Sequence, residues 1–452
     1  MTNIIFTQQQ STQELSHSFR PFGVLQSWIN SSISRSLIAL SLLCISHTVL
    51  AEDAVSVDEE TSAEEEVSFT RGFNDMFRFS GFGTLGVAGS DNDRVDFIGN
   101  FFQPNGAGYT RDWSASVDSR LGVQLTYLPT DKFSAVLQVT AEQEYDNTWD
   151  PDVEWAFLQY DFTPNFSLRA GRIVMPLYMF SEFRKVAFAL PWIRPPGELY
   201  NVPSHTTDGL GLLYTHHFGE VNYTFYGVYG EDDSRSADES HTKAREGLTL
   251  SNTFEYKDTT FRLAYSRTKL TIEDLDDLFG LYRAFGPEGE EIYDEFSIHD
   301  REYAQFTVGV WHDPGKWFVG GEWSRAMSDT FLQPGNSWYV SGGYRFNKFT
   351  PYLAYAQTRL SHGSIPMLSA ASGPPFVVGP LNDLLVAVVR PIRQSTVTVG
   401  TRWDFAENAA FKVQLDHIMT EENSSTNFIN VQPNFDYGDS VNVLSLSVDF
   451  VF

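Results

Sequence analysis

The chain predicts an all-β protein: a transmembrane antiparallel β-barrel of about sixteen strands, with short turns at one rim and long loops at the other. Three observations carry that expectation. From Phe77 onward, segments of roughly ten residues alternate apolar with polar or small side chains, as strands with two unlike faces do. Short and long connections alternate without exception between those segments. The final segment sets Leu444, Leu446, Val448, Phe450 and Phe452 on one face and Ser445, Ser447 and Asp449 on the other, and the chain ends there.

The composition narrows the choice by exclusion. The 452 residues carry a net charge of −27, one Cys and 15% aromatics. A mean hydropathy of −0.24 argues against helical spans, which need several apolar runs of about 20 residues. A charge of −27 argues against nucleic-acid binding, which needs a basic footprint to displace counterions. Thirty-seven Phe, 20 Tyr and 10 Trp against seven Met lean toward strands.

The amino terminus reads as an export signal. Arg35 precedes the apolar run Leu37–Ile45, and Val49-Leu50-Ala51 follows with residues of the kind a signal peptidase reads. Residues 1–51 are thus an extension plus secretory signal, and Cys44 falls inside it. The mature chain then has no cysteine, so disulfides and thiolate metal sites are not expected. Residues 52–76 open with eight acids and no base between Glu52 and Glu66, a self-repelling leader expected to be disordered. The barrel occupies 77–452.

The strands are placed at 77–90, 113–128, 132–145, 153–162, 166–173, 207–217, 220–230, 246–257, 259–271, 301–312, 316–327, 336–346, 349–361, 394–405, 409–421 and 439–452. In the second, Leu121, Val123, Leu125 and Tyr127 oppose Asp118, Arg120, Gln124 and Thr126. Tight turns fall at 129–131, 163–165, 218–219, 257–258, 313–315, 347–348 and 406–408, and long segments at 174–206, 272–300 and 362–393. Such sorting puts every tight turn and both barrel ends at one rim, as in bacterial outer-membrane barrels. A soluble propeller or sandwich has no reason to sort its loops this way.

On these marks, with the opening Phe79-Ser80-Gly81-Phe82-Gly83-Thr84-Leu85-Gly86 and terminal Phe452, residues 77–452 resemble a sixteen-stranded Gram-negative outer-membrane porin. The resemblance implies a water-filled channel for passive diffusion of small hydrophilic solutes and ions. It also implies export to the outer membrane, contact with lipid and lipopolysaccharide, handling by the barrel-assembly machinery with Phe450 and Phe452 as the signal, and a homotrimer. In that family the loop after strand 5 folds inward, which here is 174–206. The acidic, glycine-rich tip usual in general porins is absent; Phe180-Ser181-Glu182-Phe183 stands in its place.

The candidate constriction residues are Glu182, Arg184, Lys185, Arg194 and Glu198 from the loop. Strand parity adds Asp118, Arg120 and Arg169 from the wall, with Arg172 at the strand–loop junction. Cations facing carboxylates across a narrow wet passage orient polar solutes; the bland alternative is that they merely tie loop to wall. The loop leans positive within a negative protein, so local charge predicts anion preference and global charge predicts cation preference. A substrate-specific channel for oligosaccharide or anion would instead use Trp192, Tyr178 and Tyr200 as an aromatic track. No Walker, Rossmann, His-Glu-x-x-His or Gly-x-Ser-x-Gly motif occurs, so no catalytic residue, metal site or cofactor is assigned, and an outer-membrane enzyme is the remaining alternative. Asp146–Asp152 and the ten acids of 273–300 read as solvated loop rather than cation sites.

Overall fold

The computed structural model describes residues 76–202, 204–235 and 241–452; the expected signal and acidic leader lie outside the described residues. The strands are β1 (Phe77–Ser90), β2 (Arg120–Tyr127), β3 (Phe133–Glu142), β4 (Asp152–Thr163), β5 (Phe166–Val174), β6 (Thr206–Phe218), β7 (Val221–Arg235) and β8 (His241–Tyr256). Then follow β9 (Thr259–Ile272), β10 (Arg301–His312), β11 (Trp317–Ser328), β12 (Gly335–Tyr344), β13 (Phe349–Leu360), β14 (Ile392–Ala406), β15 (Ala409–Thr420) and β16 (Ser440–Val451). Each pairs antiparallel with its neighbours in sequence, and β1 closes the barrel on β16 from Phe82↔Val451 to Ser90↔Val443. Closure leaves the sheet without a free edge, the requirement for strands in a medium that cannot hydrogen-bond.

Alternation gives the wall its two faces. Outward positions include Phe79, Leu85, Leu210, Phe218 and Leu353, each more than half exposed. So much contiguous apolar surface is a liability in water and a match to acyl chains. Aromatics gather outside near the tight turns, where Phe77 stacks on Tyr127 and Phe349 on Trp403, and Tyr344 meets Phe346 at a tilt. A second set, with Trp338 against Tyr355 and Phe306 against Trp323, lies toward the long loops. Two such girdles mark where a bilayer's interfaces would lie.

The opening glycine motif has a packing reason. The Phe452 ring lies over Gly81 and the Phe450 ring over Gly83, where an added Cβ would sit only 2.2 and 2.4 Å from ring carbons. Glycine here lets the terminal aromatics lie flat across the β1–β16 seam.

Two features depart from the sequence reading. The second strand is not continuous over 113–128: only Trp113–Ser114 and β2 pair with β1, and the backbone detours at 115–119. There the Ser119 hydroxyl bonds the backbone of Gly86, and Asp118 turns under that glycine into the interior. The long segments are also structured, holding α2 (Glu273–Gly280), α3 (Pro287–Phe296) and α4 (Pro375–Val388). α1 (Gly197–Tyr200) is a single turn inside the loop after β5. The acids of 273–300 serve helix starts in part, with Glu273, Asp274 and Asp276 in the first turn of α2 and Glu288 and Glu290 in that of α3. Phe279, Ile292, Phe296, Val378 and Leu385 join the three helices in one buried apolar cluster.

Candidate functional site

The segment 174–206 leaves β5, enters the barrel and packs against the inner face of β10–β16. Its apolar residues dictate this. Leu177, Tyr178, Met179, Phe180, Leu190, Trp192, Leu199 and Tyr200 are all buried, together with Phe318, Tyr339 and Tyr352 of the wall. Trp192 meets Phe180, Trp311 and Tyr339 edge to face, with ring centroids 5.6–5.7 Å apart. Edge-to-face contacts of this kind add to the gain from burial. The three aromatics expected to form a track, Trp192, Tyr178 and Tyr200, are therefore packed under the loop and do not line an aqueous path.

A chain with so few regular hydrogen bonds inside a barrel must find polar partners on the wall, and it does. Glu322 accepts from the Met179 amide at 2.7 Å, the Tyr200 hydroxyl at 2.5 Å and the Tyr339 hydroxyl at 2.9 Å. The Lys412 ammonium, fully buried, donates to the carbonyls of Ala187, Leu190 and Trp192 at 2.6–2.9 Å and pairs with Asp449 at 3.0 Å. Gln305 donates to the Tyr178 hydroxyl, and Thr307 to the Leu177 carbonyl, each at 2.7 Å.

The candidate charges fall into three groups. Arg194 donates to both oxygens of Asp118 at 2.6 Å, and to Asp416 and Ser445 at 2.9 Å, with its guanidinium over the Phe97 ring. At the loop's other flank Arg184 pairs with Glu154, and Lys185 with both Glu142 and Glu154, all at 2.7 Å, while Arg120 stands 3.8 Å from Glu142. In the third group Arg262 of β9 bridges to Glu182 at 3.1 Å and donates to the Tyr178 carbonyl. Glu198 belongs to none of these; Thr396 and Gln394 donate to it in a buried niche.

Burial and charge act against each other here. Burial opposes charging Lys185, yet the Glu142 and Glu154 carboxylates outweigh it and hold the ammonium above the ordinary lysine range. Arg194 is likewise held charged by Asp118 and Asp416 against its burial. Burial pushes Glu198 above the usual carboxylate range, although its two donors pull it back. Burial, then the neighbouring Arg184 charge, drives His205 well below the usual imidazole range.

Two wall candidates stand apart. Arg172 alternates with Arg169 along β5 and makes a two-pronged pair with Asp208 of β6, so it joins none of the loop contacts. Arg169 faces inward and touches no loop residue among its hydrogen bonds, which go to Gln159 and Tyr226. Glu154 was not singled out from the sequence. A register shift between β3 and β4 turns it inward against simple parity, and only the irregular alternation of that strand hints at it.

No protein-family profile and no curated protein matches the chain. Solved structures do. OmpF of Salmonella typhi, in complex with daunomycin, is 12% identical, with 84% of this chain and 99% of that chain covered and a TM-score of 0.50. The anion-selective porin from Comamonas acidovorans is 12% identical over 83% of this chain and 99% of that one, with a TM-score of 0.51. Closed, antiparallel and sixteen-stranded, with a loop folded inward after the fifth strand, the chain has the porin-type barrel fold.

Proposed function

We propose that this protein is an outer-membrane channel for passive diffusion of small hydrophilic solutes and ions, narrowed by the loop 174–206. The observation that carries the reading is the contrast between the two faces of one closed wall. Its outside is apolar and banded by aromatics, while its inside is polar and holds an inserted loop by more than a dozen polar contacts. An apolar exterior seats the barrel in lipid, and a polar interior gives solutes a wet route across it. The loop's role is to set the width of that route. Its constriction residues in this reading are Asp118, Arg120, Arg169, Glu182, Arg184, Lys185, Arg194 and Glu198, the loop members fixed in place by the wall rather than hanging free.

The reading includes export by the signal within 1–51, insertion through the assembly signal Phe450 and Phe452, lipopolysaccharide around the outer rim and assembly as a homotrimer. Single-channel recording of the refolded protein in a planar bilayer tests it. Discrete ohmic steps are expected. A correctly folded barrel that passes no current refutes the channel.

A further inference from the structure

We propose that Arg169 makes this channel select anions, its guanidinium serving as the contact point for small oxyanions of the carboxylate or phosphate class. The inference rests on the channel reading above and names the solute that reading leaves open.

The first observation is where the lumen stays wet. Most inward positions of β10–β16 are buried: the loop covers Phe318, Tyr339, Tyr352 and Lys412, and toward the long loops Val95, Val117, Phe428 and Phe435 cover Val441 and Val443. Across from the loop Gln159, Asp161, Arg169, Thr215 and Thr224 remain partly open to solvent. The β4–β7 side, where Arg169 stands, is therefore within reach of a passing solute.

The second observation is which charges are left over. The loop's positive lean is spent against wall carboxylates. Arg120, Arg184 and Lys185 face Glu142 and Glu154, while Arg194 faces Asp118 and Asp416. The surplus cation of the first group offsets the surplus carboxylate of the second. Arg262–Glu182, Lys412–Asp449 and Arg402–Asp404 are each balanced. Arg169 has no carboxylate within ion-pair distance among the described residues.

The third observation is how Arg169 is held. Its guanidinium carbon lies 4.9 Å from the Phe157 ring centroid and 5.2 Å from that of Tyr226. Nε donates to Gln159 at 2.8 Å and Nη1 to the Tyr226 hydroxyl at 3.1 Å. Both partners are neutral, so the charge is fixed without being cancelled, and the Nη2 edge keeps N–H donors for a passing oxyanion. Asp161 lies one hydrogen bond farther off, accepting from the Gln159 amide at 2.8 Å.

Distance decides between this charge and the net −27. Charges more than about 8 Å away are largely screened at physiological salt, whereas a permeating ion meets Arg169 at contact. One unit charge at that range, even in a water-like dielectric, changes local ion occupancy by roughly threefold to tenfold.

The test is the reversal potential of single channels in a potassium chloride gradient, for the wild type, Arg169→Gln, Arg169→Lys and Asp161→Asn. The wild type is expected to prefer chloride. Arg169→Gln should lower the chloride-to-potassium ratio by roughly threefold to tenfold, Arg169→Lys should keep most of it, and Asp161→Asn should raise it. A cation-preferring wild type, or an Arg169→Gln channel with an unchanged ratio, overturns the inference and leaves the channel standing. A folded wild-type barrel without conductance overturns the channel itself. Should Arg169→Gln fail to fold, the wild-type sign and the Asp161→Asn shift still decide.

Discussion

Lys412 offers the sharpest check on how the loop is fixed. Its ammonium is fully buried, closes on three loop carbonyls and is the counter-ion of Asp449, itself fully buried. Replacing it by Met removes the charge and keeps much of the volume. Breaking a buried pair from one side costs about 3–5 kcal/mol, because the remaining ion is stranded. Of the carbonyls, Leu190 keeps a donor in Arg402 and Ala187 keeps the Leu190 amide. Only Trp192 loses its donor, which adds about 1 kcal/mol. Lys412→Met should therefore lose about 4–6 kcal/mol in urea unfolding followed by tryptophan fluorescence. The double variant Lys412→Met/Asp449→Leu should recover about half, since no stranded carboxylate remains. A single variant within about 1 kcal/mol of wild type, or a double variant no better than the single, would refute this account.

Other outcomes follow from the same contacts. Trp192→Ala should destabilise the barrel by about 3–5 kcal/mol in urea unfolding, since Trp192 joins Phe180 and Trp311 to Tyr339; a loss under about 1 kcal/mol would speak against this aromatic packing as what seats the loop. Phe452→Ala should lower the yield of assembled barrel in cells more than it lowers the stability of refolded protein, read by heat-modified gel mobility, because one ring over Gly81 is lost but the β1–β16 ladder remains. Glu144, just past β3, is pushed from the ordinary 4.5 to about 7 by burial and then by the Glu142 charge. A raised carboxyl pKa means the folded state holds its proton longer, so stability should fall as pH rises from 4.5 through 7. The shift caps that fall at about 3 kcal/mol, and residual exposure brings it to about 1–2. Glu144→Gln should flatten the slope, and an unaltered slope would point to another group.

The barrel was legible because its signal is redundant. Period-two alternation, sorted connections and the terminal strand each constrain the same register, and all sixteen strands fall within a few residues of their predicted places, apart from the break in the second and the longer starts and ends of β7 and β8. The loop's destination was legible in part: six large aromatics between 174 and 206 cannot stay in water. Which wall they would meet was not, because alternation says which face a residue takes and nothing about what crosses the lumen to it. Neither Glu322 nor Gln305 is among the candidate residues, yet they are the partners that seat Met179 and Tyr178. The helices of the long loops escaped for a different reason. Their acids suggested solvation, while the apolar residues that bury them are split between 279–296 and 378–389 and meet only in three dimensions.

The distribution of charge explains how so acidic a chain can keep a nearly neutral interior. Many of its acids fall in residues 52–66 and in the long loop 273–300. Inside the barrel the carboxylates are placed where a loop cation or a row of neutral donors waits for them. Asp118 and Asp416 share Arg194, Glu142 and Glu154 share Lys185, and Glu322 is held by two tyrosines and an amide. Each shared site fixes the loop and silences a charge in the same step. A loop held this way cannot swing aside without stranding several buried ions at once, each a penalty of about 3–5 kcal/mol. The constriction should therefore be static on the timescale of permeation, and selectivity should follow from whatever charge the pairing leaves uncancelled on the open side.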